Sequence, residues 1–122
     1  MRISGTIPSG DYQVVPFLKE YALEAGDFDL ATILLALSGN VANCEFALYL
    51  AESGKAALTN AERAASEIFI DTAVVAAADP DPDLYVKAAE PIVIPSKSGE
   101  SLYIYLSTGD AAVSGSFRLA IK

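Results

Sequence analysis

In "SLYIYLS" (101–107), Leu102, Ile104 and Leu106 fall on one side of an extended backbone, and Ser101, Tyr103, Tyr105 and Ser107 on the other. This period of two is that of a half-buried strand. In "VSGSFRLAIK", Val113, Gly115, Phe117, Leu119 and Ile121 alternate with Ser114, Ser116, Arg118, Ala120 and Lys122, so the pair reads as a closing hairpin. "CEFALYLA" repeats the pattern, with Cys44, Phe46, Leu48 and Leu50 opposite Glu45, Ala47, Tyr49 and Ala51. "FDLATILLAL" (28–37) is apolar on both faces. A helix can be written there, with Asp27 as N-cap and Gly39 past its end, but its strand neighbours favour a central strand.

Breakers divide the rest. The first ten residues, rich in glycine and proline and without periodicity, predict an extended N-terminal arm over 1–10, poorly ordered unless something holds it. "YQVVPFLKEYALEA" (12–25) predicts two short β-leaning pieces broken at Pro16. Thr59 followed by Glu62 is a capping-box spacing, which predicts a short helical turn near 59–66. "EIFIDTAVVA" (67–76) reads as a strand stopped by "DPDPD" (79–83), and "YVKAA" and "PIVIPS" as short edge-like pieces. Strands at this spacing predict an all-β chain: a single β-sandwich over 11–122, jelly-roll-like or Ig-like.

The chain has 122 residues, 52% of them hydrophobic, and a net charge of -8 from 8 basic and 16 acidic side chains. One core suffices at this length. The negative balance opposes nucleic acid, which requires clustered cations, and anionic membrane surfaces for the same reason. No apolar run reaches the roughly 18 residues of a spanning helix. "MRISGTIPSG" has no apolar signal region, so synthesis in a host cytoplasm is expected. Cys44 is the single cysteine and reads as a buried, inert thiol.

The chemistry of the chain is narrow. Histidine is absent, which excludes Ser-His-Asp and Cys-His nucleophile systems and histidine-ligated zinc. Asp27 and Asp29 share a face at a strand start, as a glycosidase pair would, but they read as solvated turn residues. Asp79, Asp81 and Asp83, with Glu90, match four positions of a calcium loop, yet Leu84 stands where the loop needs glycine and Lys87 occupies a ligand position. They are weak metal candidates, and a proline-stiffened surface turn is the simpler reading. "SGKA" (53–56) lacks the upstream glycine of a phosphate loop. No cofactor, catalytic group or dinucleotide site is expected, and the chain reads as non-enzymatic.

Tyr103 and Tyr105 stand on the polar side of their strand. Either a loop or second sheet of the same chain covers them, or they form an interface, where tyrosine is enriched. Few lysines on the strands leave the sheet edges without their usual protection, which partners would then supply.

The order "YALEAGDFDLATILLALSGN", "CEFALYLAESGKA", "EIFIDTAVV" and "IVIPSKSGESLYIYLSTGDAAVSGSFRLAI" resembles small β-sandwich virion structural proteins of tailed bacteriophages, including cyanophages, over residues 20 to 122. The chain departs from that pattern through the insertion "ADPDPDLYVKAAE" and its first twenty residues. The resemblance implies a non-catalytic role, foremost a capsid decoration (cement) protein on the virion exterior that binds and stabilises the assembled shell. The expected partners are the major capsid protein and the chain itself, as a homotrimer or another closed oligomer. The expected interface comprises Arg2, Ile3, Ile7 and Pro8 of the arm with Tyr103 and Tyr105. The alternatives are a tail or fibre component and a carbohydrate-binding β-sandwich module.

Overall fold

The computed structural model describes residues 2–38, 45–66, 83–86, 92–109 and 113–122, with only strand assignment and pairing at Ser38 and 83–86. The elements are β1 (Arg2–Gly10), β2 (Phe17–Ala22), β3 (Gly26–Ser38), β4 (Glu45–Glu52), α1 (Asn60–Ala65), β5 (Asp83–Val86), β6 (Ile92–Ser96), β7 (Glu100–Ser107) and β8 (Val113–Ile121). The predicted strand at 67–76 and the Cys44 thiol lie outside the described residues.

The strands form two antiparallel sheets. One runs β1-β8-β3, with β5 and β6 both on the far side of β3; the other runs β2-β7-β4. The pairs β1 with β8, β2 with β7 and β3 with β6 nest inside one another, which is the wrapping of a jelly roll. Both sheets turn an apolar face inward. Ile3, Ile7, Leu30, Ile33, Leu35, Phe46, Leu48, Ile94, Leu102, Ile104, Leu106, Phe117 and Leu119 are among the side chains buried there. Each buried side chain of this size contributes about 1.5–3 kcal/mol.

Two expectations change. The closing hairpin does not form: β7 lies in one sheet and β8 in the other. In a nested wrap the last connection crosses between layers, and alternation alone cannot reveal this because both strands show the same period wherever they pair. The segment 2–10 is extended, as expected, but as strand β1 along β8, with Ile3 opposite Leu119 and Ile7 opposite Gly115. Ile3 and Ile7 supply its period-two apolar face, so burial in the core holds it.

The doubly apolar stretch 28–37 is a central strand containing a bulge. Leu30 pairs with Ile121 and Thr32 with Ala120, leaving Ala31 as the extra residue. One inserted residue reverses the inward parity. Even-numbered Leu30 points into the core before it, and odd-numbered Ile33, Leu35 and Leu37 after it. In the segment 12–25, residues 12–14 form a turn and only the second piece is a strand, because the Asp11 carboxylate accepts the Gln13 amide at 3.0 Å.

Close strand approach fixes Gly115. A Cβ there would sit 2.1 Å from the Ala36 carbonyl oxygen, inside any permissible contact.

Candidate functional site

The outer face of the β2-β7-β4 sheet, for which the sequence allows either cover by the same chain or an interface, is covered by the chain itself. Opposite its core-facing leucines and isoleucines, this sheet carries Ala47, Tyr49, Ala51, Tyr103 and Tyr105, which form a second buried cluster with Leu18 and Leu58 at its margin. The segment following β4, residues 53–66, folds back over it. The capping box predicted from Thr59 and Glu62 is present: the Thr59 hydroxyl accepts the Glu62 amide at 3.1 Å, and the Glu62 carboxylate accepts the Thr59 amide at 3.1 Å. With its first amides satisfied, a helix of six residues stands at the sheet surface.

Side chains of the sheet stitch this covering segment down. The Tyr103 hydroxyl donates to the Glu52 carbonyl at 2.7 Å and accepts the Lys55 amide at 3.0 Å. The Glu20 carboxylate accepts the Gly54 amide at 2.9 Å, and the Ser53 and Ser101 hydroxyls bond at 2.7 Å. At the far end, Ser66 Oγ accepts the Leu50 amide at 2.8 Å and so occupies a backbone donor of β4. Lys55 Nζ lies 3.4 Å from Glu62 and 3.9 Å from Glu52.

The electrostatics follow from these contacts. The Gly54 amide, followed by the Ser101 hydroxyl, holds the Glu20 carboxyl below its ordinary range against a smaller desolvation effect, with Tyr103 adding to the lowering. The Thr59 amide does the same for Glu62, assisted by the Thr59 hydroxyl and Lys55. Burial pushes the Tyr103 and Tyr49 phenols up.

The structure therefore corrects most of the expected interface. Tyr103 is 0% exposed and Tyr105 7%, both beneath their own chain; Ile3 and Ile7 are core residues. Of the six residues, only Arg2 and Pro8 are exposed. The intramolecular reading of the two tyrosines is the one the structure bears out. Asp27 and Asp29 stand exposed on β3, opposite Pro95 and Val93. Asp79, Asp81 and Glu90 lie outside the described residues, and Asp83 is described only as the first residue of β5, opposite Ala36. Among the described residues no three acidic, cysteine or histidine side chains cluster to hold a metal ion.

The β1 and β2 edges have their own protection. Edge strand β1 carries Pro8, which has no amide to donate, at an irregularity in its pairing with β8. Tyr12 donates its hydroxyl to the Pro8 carbonyl, and Tyr21 donates to the Ser4 carbonyl at 3.4 Å. Edge strand β2 places Lys19 on the inward side of its sheet, opposite Ile104, where it lines the groove between the two edges with Phe17, Tyr21 and Phe117. An inward-pointing charge of this kind blocks strand addition.

What remains open is elsewhere. Val14 and Val15, at the turn before β2, are 81% and 68% exposed. Val15, Pro16, Leu18, Ala56, Ala57 and Leu58 surround a hollow of about 60 Å³ where this turn meets the covering segment. Sequence reasoning assigned the two valines to a strand and missed the patch; the signal was Asp11 and Pro16 bracketing them as a turn.

No family model, curated protein or solved structure matches the chain. Among the described residues no helix is long and apolar enough to cross a membrane.

Proposed function

We propose that the chain is a non-catalytic virion structural protein, a capsid decoration protein that adheres to the assembled shell from outside. The observation that carries this reading is the apolar knuckle of Val14 and Val15 beside the hollow at Leu58, on a sandwich whose tyrosine face is already covered by its own chain. Apolar side chains held out on a turn beside a shallow apolar hollow are suited to gripping another polypeptide. The jelly-roll wrap and the sequence resemblance support the same role at the level of fold analogy.

The adhesive surface differs from the one expected from sequence. β1 and the tyrosines build the sandwich, and the turn 11–16 with the tip of the covering segment presents the contact. Binding that exists only on the assembled shell stabilises it by mass action. The carbohydrate-binding alternative would use an open tyrosine platform, and Tyr49, Tyr103 and Tyr105 are all buried.

The test is rebinding to virions stripped of their accessory proteins. Saturable rebinding that protects the shell against heat, and that is lost in Val14→Asp/Val15→Asp protein with an unchanged melting curve, is the expected result. A folded wild-type protein that fails to rebind would overturn the proposal.

A further inference from the structure

The outer face of the larger sheet carries a feature that neither folding nor edge protection requires. Arg2 on β1 stands opposite Ala120, and Arg118 on β8 opposite Ser4, so the two arginines are diagonal neighbours across one strand pair. Diagonal positions are about 7–8 Å apart, close enough for two long side chains to share one partner. On the other side of β8, Thr32 lies opposite Ala120 and Leu34 opposite Arg118. Small side chains at Ser4, Thr32 and Ala120 beside the arginines leave a shallow groove of about 460 Å³.

The charge pattern is the anomaly. The chain holds twice as many acids as bases, 16 against 8, yet among the described residues neither arginine has a carboxylate within ion-pair distance. Of the acids on this face, Asp27 and Asp29 lie farther along β3, where Asp29 exchanges backbone hydrogen bonds with Lys122, and Asp83 stands on β5 opposite Ala36. Two adjacent exposed guanidinium groups repel each other, and an acidic chain offers many ways to relieve that repulsion. Among the described residues it is left standing. The hydroxyls of Ser4 and Thr32 add neutral donors beside the charged ones.

We infer that Arg2 and Arg118, with Ser4 and Thr32 beside them, form a second docking surface that takes carboxylates of an acidic polypeptide segment on a partner subunit. Guanidinium forks match carboxylates in a bidentate manner, and two of them in a groove accept successive acidic side chains of an extended strand. This surface lies on the opposite sheet from the Val14–Val15 knuckle, so one molecule contacts two neighbours. The inference rests on the assembly reading only for the kind of partner; the acidic chemistry comes from the arginines.

A hexaglutamate peptide is the probe, titrated into the full chain at low salt and followed by the arginine side-chain NMR signals. Saturable binding is expected, weakened about tenfold by Arg118→Gln or Arg2→Gln and by raised salt, and unchanged by Lys19→Gln. Melting curves show whether each variant is folded. Absence of binding, equal binding by the arginine variants, or equal displacement of the arginine signals by inorganic phosphate at the same concentration would overturn the inference. None of these results bears on shell rebinding, so the two proposals fail separately.

Discussion

Arg63 lies over the ring of Tyr105, its guanidinium carbon 5.0 Å from the ring centroid, and its Nη1 donates to the Tyr105 hydroxyl at 3.2 Å. This contact joins α1 to the middle strand of the smaller sheet. Among the described residues Arg63 Nε is buried there without a hydrogen-bond partner, so the contact carries a desolvation cost with its gain. Arg63→Ala loses both stacking and packing and should destabilise the chain by about 1–2 kcal/mol. Arg63→Met keeps the stem and removes the unpaired donor, so its loss should be less than half as large. Urea unfolding of the two variants decides this, and equal losses would contradict it.

The Tyr103 hydroxyl tests the stitching of the covering segment. Tyr103→Phe leaves the Glu52 carbonyl and the Lys55 amide without their side-chain partner. A cost of about 1–3 kcal/mol is expected, that of orphaning buried polar groups. Because the chain contains no tryptophan, near-ultraviolet circular dichroism reports its tyrosines. Loosening of the segment should appear there before the far-ultraviolet signal changes.

Capping gives an independent handle on the same segment. Thr59→Ala removes the acceptor for the Glu62 amide. The expected loss is about 1 kcal/mol, read from urea unfolding, and Thr59→Ser should restore most of it.

Acid should loosen this region. The folded-state values of Glu20 and Glu62 lie below their ordinary 4.5, so the unfolded chain binds protons first as pH falls. Their contribution is present above about 4.5 and is lost as pH drops through the lower folded values. Glu20→Gln should flatten the acid limb of the stability curve, while an unchanged limb would assign it to other carboxylates. Tyr103 has the opposite sign: its phenol is raised by burial, so its contribution is complete below the ordinary value of 10.0 and is lost as pH rises through the folded one.

Lys19 guards the open flank of the sandwich. Lys19→Val removes the inward charge beside Phe17 and Tyr21 and leaves an apolar edge. Concentration-dependent self-association, measured by sedimentation, is the expected outcome. A variant that stays as monodisperse as the parent would show that Pro8 and the Tyr21 hydroxyl suffice.

Local chemistry was legible in the sequence, and partnership was not. The β4 alternation, the Thr59–Glu62 box and the inward face of β8 all follow from spacing a few residues long, and the structure reproduces them. Which strand lies beside which depends on contacts far apart in the chain, so the β7–β8 hairpin was a reasonable expectation that the nested wrap overturned. The tyrosines illustrate the same limit. Their alternation with Leu102, Ile104 and Leu106 shows that they face away from the core, but only the path of residues 53–66 decides whether that direction meets water. Ile3 and Ile7 carried the β1 signal in their spacing of four, masked by glycine and proline that read as an arm.

The nested pairing also orders assembly in time. Each inner strand pair shortens the loop that the next pair must close, so closure entropy favours zipping from the middle of the chain outward. The pairing of Ile3 with Leu119 spans nearly the whole sequence and on this argument should form last. β1 is thus the element most readily exchanged between molecules, and amide protons of residues 2–10 should be the first in the larger sheet to exchange with solvent.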